Sequence, residues 1–438
     1  MRLTILGGGG FRVPLVYRAL ALDPTSLVRE VVLFDEDPAR VRAIMRVLEG
    51  VGSGPAVRVA DQLDDAVRGT DVVFSAVRVG GTAGRVIDER LALGLGVLGQ
   101  ETTGPGGIAY ALRTLPVATR IAERVADLAP SAWVLNFTNP AGMVTAAMQD
   151  VLGERVLGIC DSPAGLVRRV VRVLGVDPAR AVAGYAGLNH LGWLRSVVVD
   201  GVDLLPSLLA DDTALSGFEE GRLFGPDLLR LLGCIPNEYL YYYYYTREAM
   251  TAMRSADRTR GEVIADQQSD LYPRLARADD PATVWDDARL AREQGYLAEA
   301  RTPTEGRDES DLAGGGYEQV ALSAMRALVT EVPCDLILNV RNGSAGARPA
   351  LEQLPVDAVV EVPTLVDGAG AHPCAQPPLD DHQLSLVSAL RAVETATAEA
   401  AASGSRRAAL RALTVHPLVD SAEVARELLD GYLGPGPA

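Results

Sequence analysis

The chain opens with MRLTILGGGGFRVPLVYRALAL, in which an apolar strand runs into four glycines, Gly7 to Gly10, and then into an apolar segment of helical period. Few folds accept that order. Glycines let the backbone close on a bulky anion, and the helix behind them offers its positive N-terminus. Gly7, Gly9 and Gly10 are therefore the expected contacts of a dinucleotide pyrophosphate, with Phe11 after them counted among the cofactor-binding residues. A second strand, VVLFD at 31–35, ends in Asp35, whose carboxylate can accept hydrogen bonds from an adenosine ribose and repel a 2′-phosphate. NAD is favoured over NADP. The turn departs from GxGxxG at its last position, where Arg12 stands. DVVFSAVRVGG at 71–81 and WVLNFTNPAGMVTAAM at 133–148 continue the alternation of strand and glycine or polar turn. These units predict a Rossmann-type α/β domain, a doubly wound parallel sheet over residues 1–190. Its ligand edge lies at the carboxyl ends of the strands, where Asn139 and Cys160 fall.

At 438 residues the chain exceeds the roughly 250–300 that a single core accommodates, which leaves residues 191–438 for a second domain. Its 57 acidic against 41 basic residues give a formal charge of −16, which disfavours nucleic acid or an anionic membrane as partner and favours a small molecule. Every basic residue is arginine, so no lysine is available as a Schiff-base amine or a P-loop phosphate ligand. The four cysteines lack CxxC spacing, no apolar run reaches the roughly 18 residues of a membrane span, and the N-terminus carries no signal-like core. A cytoplasmic protein is expected.

Three polar clusters stand out. GICDSP places Cys160 and Asp161 at the end of an apolar run, GLNHLGW holds His190, and IPNEYLYYYYYT at 235–246 contains six of the 13 tyrosines. Each has an ordinary explanation: a cysteine as a small buried hydrophobe, an aspartate as a helix cap, a histidine satisfied in the core, tyrosines as packing. Each also has a chemical one. A thiolate and an imidazole together can hold a divalent transition metal with positions left open for substrate.

Taken with GLGVLGQETTGPGGIAYALRTLP at 94–116, NFTNPAGMV, LNVRNGS and VVEVPTLV, these motifs resemble glycoside hydrolase family 4, the NAD- and metal-dependent glycosidases. The resemblance covers nearly the whole chain. It implies NAD and Mn²⁺ or another divalent transition metal as cofactors, with Cys160 and His190 as metal ligands. Tyr239 becomes the catalytic base and Asp161 the acid; Arg85, Asn139, Asn189 and Arg260 become substrate contacts. It implies that residues 191–438 form an α+β domain like the C-terminal domain of lactate dehydrogenase, which binds substrate, completes the metal site and forms the homodimer or homotetramer. The implied reaction oxidises the sugar at C3, removes the C2 proton, eliminates the aglycone, adds water and returns the hydride, in place of the two-carboxylate scheme of most glycosidases.

The expected substrate is a phosphorylated disaccharide or glucoside. Within the family the chain resembles, Asp161 beside Cys160, where the α-galactosidase branch has histidine, implies a 6-phosphosugar. CD and NHLGW resemble the α-specific branch, whereas FTNPAGMVT and the tyrosine-rich PNEYL segment resemble the β-specific one, and the balance favours 6-phospho-β-glucosides. A 2-hydroxyacid dehydrogenase or an NAD-sensing protein would share the nucleotide domain without the cysteine–histidine pair. Segments 210–227 and 301–316 read as polar loops or lids, the alanine-rich end as helices around a short turn, and His372, Cys374 and His382 as residues of a proline-rich loop.

Overall fold

Runs such as LTIL, VVLF and VVFS carry no polar face, so their strands have to be covered on both sides. In the computed structural model, which describes residues 1–301, 307, 316–330, 332–343 and 348–434, they are β1 (Arg2–Leu6), β2 (Glu30–Phe34) and β4 (Val72–Ser75), joined in the sheet by the exposed edge strand β3 (Ala56–Val59) and by β5 (Trp133–Asn136) and β6 (Val156–Gly158). These six pair in parallel in the order β3-β2-β1-β4-β5-β6, the doubly wound arrangement. Leu3, Ile5, Val31, Leu33 and Phe74 join one core with Val16 and Ile44, which come from the helices Val13–Ala21 and Pro38–Glu49. Val73, Val134 and Val156 point the other way, onto the helices Gly106–Leu128 and Ala141–Leu152.

The rest of the sheet is antiparallel and continuous with the first part: β7 (Ala181–Leu188), β8 (Leu191–Val199), β9 (Val202–Asp203), β10 (Ile235–Pro236), β11 (Cys334–Arg341), β12 (Val359–Asp367) and β13 (Gly370–Pro373). Two of its joints are single register pairs. Gly158 of β6 faces Asn339 of β11, Asn339 faces Glu361 of β12, and Glu361 faces Gly187 of β7. This row crosses from the parallel to the antiparallel half. Cys160 lies two residues beyond one end of it and His190 three beyond the other.

Segment 210–227 corrects the expectation of a loop. It holds the helix Asp212–Ser216 and most of the helix Glu219–Leu232, kinked at Gly225. Asp211 caps the first helix through Thr213 and Ala214, while Leu215, Phe218 and Phe224 are buried. Three apolar anchors outweigh the polar composition between them. Of segment 301–316, all but Arg301, Arg307 and Gly316 lies outside the described residues, as does Ser344 of LNVRNGS. The alanine-rich end is helical over Asp381–Ser403, Arg406–Thr414 and Ala422–Leu433. Among the described residues no helix is long and apolar enough to cross a membrane.

Candidate active site

At the end of β1 the backbone turns through Gly7, with φ at 84°, where an added Cβ would sit 2.5 Å from the Ala76 carbonyl oxygen. No side chain larger than hydrogen fits. The Gly7 and Gly8 amides donate to Phe34 O, and the Gly10 amide to Gly7 O, so the turn presses against β2 before the helix Val13–Ala21 begins. Asp35 follows β2 directly, and its Oδ2 accepts the Gly9 amide at 3.0 Å. Phe11 is buried against Trp285, whose Nε1–H donates to Phe11 O at 2.9 Å.

This turn forms one end of a cavity of about 1510 Å³. Gly7, Gly10, Phe11 and Asp35 line that end; Cys160, Asp161, His190 and Tyr239 line the same cavity, as do Arg85, Asn139 and Arg260. Of the expected residues, Gly9 is not among those that line the cavity, and its amide is taken by Asp35. Asn189 faces a smaller cavity of about 50 Å³, and its Nδ2 donates to Glu361 Oε1 at 3.3 Å.

Cys160 precedes the first turn of the helix Asp161–Leu174, and His190 sits at the β7–β8 hairpin with φ at 61°. The Tyr239 ring stacks on the His190 ring, with centroids 3.7 Å apart and planes 10° apart. Asn237 sets that placement: it follows β10, and its Oδ1 accepts the Tyr239 amide at 3.1 Å. Asp161 accepts from Arg12 Nη1 at 3.3 Å, so the arginine that breaks the glycine pattern pairs with the candidate acid.

Burial governs the electrostatics. It pushes the Cys160 thiol well up, helped by Glu361 and Asp161, and pushes the Tyr239 phenol up, helped by Glu238. His190 is pushed down to about 4 by the same desolvation, which keeps the imidazole neutral. A soft thiol and a neutral imidazole are a donor pair that fits a divalent transition cation, and a nearby cation would reverse the upward drift of both thiol and phenol. Among the described residues no group of three or more histidines, cysteines or carboxylates is placed to hold a metal ion. His372 pairs instead with Asp367, and His382 with Tyr244.

Several participants were invisible to residue-type reasoning. Glu238 accepts from Ser162 Oγ at 2.9 Å and from Tyr296 OH at 3.0 Å, and is pushed up to about 7 by burial and then by Glu220. Glu361, fully buried, accepts from Asn339, Asn189 and Tyr185 and is pushed up to about 7 by burial. Its one sequence signal was a charge inside the apolar strand VVEVP. Arg292, whose guanidinium lies over the Phe11 ring, is pushed well down by burial and then by Arg12, Arg260, Arg85 and Arg78. Arg85 is answered by Glu89 and Glu101, but Arg292 Nη1 and Asn139 Oδ1 are buried with no hydrogen-bond partner among the described residues.

Known proteins match this chain along its length. The family model for family 4 glycosyl hydrolases matches residues 2–176, and the model for the C-terminal domain of the same family matches 185–419. A probable 6-phospho-β-glucosidase of Bacillus subtilis is 30% identical over 99% of this chain and 96% of its own. The 6-phospho-β-glucosidase of Thermotoga maritima, solved with manganese, NAD⁺ and glucose-6-phosphate, superposes with a TM-score of 0.82 at 27% identity, covering 99% of this chain and 98% of that one. A 6-phospho-α-glucosidase from gut microorganisms, solved with NAD and Mn²⁺, gives 0.81 at 25% identity over 99% and 97% of the two chains. A lactate dehydrogenase from a deep-sea metagenome shares the fold, with a TM-score of 0.53 at 12% identity over 91% and 98% of the two chains. With a glycine turn, a cysteine–histidine pair and a stacked tyrosine along one cavity, and with both halves matched, the chain belongs to glycosyl hydrolase family 4.

Proposed function

We propose that this protein hydrolyses 6-phospho-β-glucosides with NAD and a divalent transition metal, Mn²⁺ foremost, and with no net oxidation. The observation that carries the reading is the gathering of Cys160, His190, Tyr239 and Asp161 on the cavity whose other end is the glycine turn. Gly7, Gly10 and the N-terminus of Val13–Ala21 hold the pyrophosphate, and Asp35 takes the ribose hydroxyls. Cys160 and His190 hold the cation. Bound, the two cofactors supply a reversible hydride acceptor for C3 and a Lewis acid for the oxygens beside it, which together make the C2 proton removable. Tyr239 takes that proton, and Asp161 delivers one to the leaving oxygen. Asn139 Oδ1 and the guanidiniums of Arg85, Arg260 and Arg292 orient the sugar and its anionic group; the surplus of positive charge around Arg292 supports a phosphorylated substrate.

A 6-phospho-α-glucosidase is the second reading, favoured by Asp161 beside Cys160. Chemistry that begins at C3 and C2 constrains the C1 configuration weakly. The test is release of p-nitrophenol from α- and β-linked glucoside 6-phosphates and their unphosphorylated counterparts. Release is expected only with NAD and Mn²⁺ both present, fastest on the phosphorylated β anomer, without accumulation of NADH. Steady NADH production from lactate or malate, or release that ignores either cofactor, would replace this reading with another.

A further inference from the structure

The loop between the helix Gly81–Gly94 and the helix Gly106–Leu128 carries Gln100, Thr102 and Thr103. Gln100 Oε1 lies 2.7 Å from the Thr102 amide nitrogen, 2.6 Å from that of Thr103 and 3.1 Å from Thr102 Oγ1. Backbone amides can only donate, so the Gln100 atom facing them is the carbonyl oxygen and not the amide nitrogen. That oxygen carries no hydrogen. The contact with Thr102 Oγ1 therefore uses the single proton of the hydroxyl. On its other side the same Oγ1 stands 3.1 Å from His190 Nδ1 with only lone pairs left to offer, so Nδ1 must bring the hydrogen. A neutral imidazole carries one N–H. Nε2 is then bare, and it has no hydrogen-bond partner among the described residues, while the ring lines the large cavity and is held flat against Tyr239.

We propose that Thr102, oriented by Gln100, is a positioning residue that fixes His190 in the Nδ1–H tautomer and so reserves Nε2 as the metal-binding atom. This rests on the reading of His190 as a metal ligand. Partners of this kind act on a ligand's tautomer and ring orientation rather than on the metal itself, and losing one weakens metal affinity by about 10–100-fold.

Nitrogen-15 NMR of the histidine-labelled protein tests the tautomer without any metal. The chain has only four histidines, and His190→Gln identifies the signal. The expected spectrum has a protonated Nδ1 and a bare Nε2 on His190; a proton on Nε2 overturns the proposal. Thr102→Val, which keeps the shape and removes the acceptor, should mix or invert the tautomers and weaken Mn²⁺ binding by about 10–100-fold, read by electron paramagnetic resonance of free Mn²⁺, with the NAD dissociation constant and melting temperature held. Thr102→Ser should restore both readouts. Unchanged tautomer and unchanged Mn²⁺ affinity in Thr102→Val would remove Thr102 from the role. If Thr102→Val does not fold, Thr102→Ala, which removes the same acceptor, takes its place, and an unchanged tautomer and Mn²⁺ affinity in it would overturn the role. Should His190→Gln bind Mn²⁺ as wild type does, the metal-ligand reading falls, and a bare Nε2 in the wild-type spectrum separates that failure from a failure of the hydrogen-bond argument.

Discussion

Tyr239 is one of six tyrosines within twelve residues, and the structure separates it from the others by what each phenol touches. Tyr242 donates to Glu299, Tyr244 sits between Trp193 and His382, and Tyr245 donates to the Phe224 carbonyl. Tyr239 alone stacks on His190. Replacing it with phenylalanine keeps the stacked ring and deletes the phenol proposed as the base. Turnover should fall by about 100- to 10,000-fold while the melting temperature and Mn²⁺ affinity stay near wild type, and near-normal turnover would end the assignment. At this scale the sequence singled out, through residue types and motifs, Cys160, Asp161, His190 and Tyr239, which line one cavity. It hid their neighbours: Glu238 and Glu361 act through contacts 76 and 172 residues away, with Ser162 and Asn189, and nothing local marks such a partnership.

Among the elements, β1, β2, β4 and β5 were legible because continuous apolar runs between turn residues leave little choice, whereas the exposed edge strand β3, AVRV, carries no such run. The junction was not. β11 reaches β6 across more than 170 residues of intervening chain and touches it at one register pair, a relation that no window of sequence contains. The same joint explains a glycine. A Cβ on Gly158 would lie 2.3 Å from Thr145 Oγ1 and 2.7 Å from the Asn339 Cβ. Gly158→Ala should therefore push β6 off β11, costing about 1–3 kcal/mol in urea unfolding. Because Cys160 is two residues on, Mn²⁺ affinity should fall as well. A variant with normal stability and affinity would show that the joint tolerates displacement. The misread segment 210–227 makes the complementary point: its polar composition argued for a loop, but a cap at Asp211 and three buried apolar side chains decided for helix.

For the molecule as a whole, the buried ionisable groups set how stability depends on pH. Glu361 and Glu394 are each pushed up to about 7 by burial, against about 4.3 in an unfolded chain. Between those values the folded protein holds protons the unfolded chain has released. The stability these groups contribute is therefore complete at low pH and is lost as pH rises through about 7. His190 and His416, pushed down to about 4 by burial, oppose this below about 6.5, where the unfolded chain takes up the proton and stability falls as pH falls. Glu394→Gln isolates one carboxyl. Relative to wild type, its unfolding free energy should improve between about pH 5 and pH 8 by an amount on the order of 1–3 kcal/mol, and a flat difference would mean Glu394 is ionised when folded.

The crossing row from Gly158 to Gly187 carries a last consequence for how such a protein can change over generations. Cys160 sits in the part of the chain matched by one family model, His190 and Tyr239 in the part matched by the other. The proposed reacting centre is thus a property of the suture, owned by neither piece. Exchanging the rear segment for one with another sugar preference would require the newcomer to restore the same stitch before any turnover reappeared, so inheritance in one block is the easier path and novelty is pushed out to the surrounding walls.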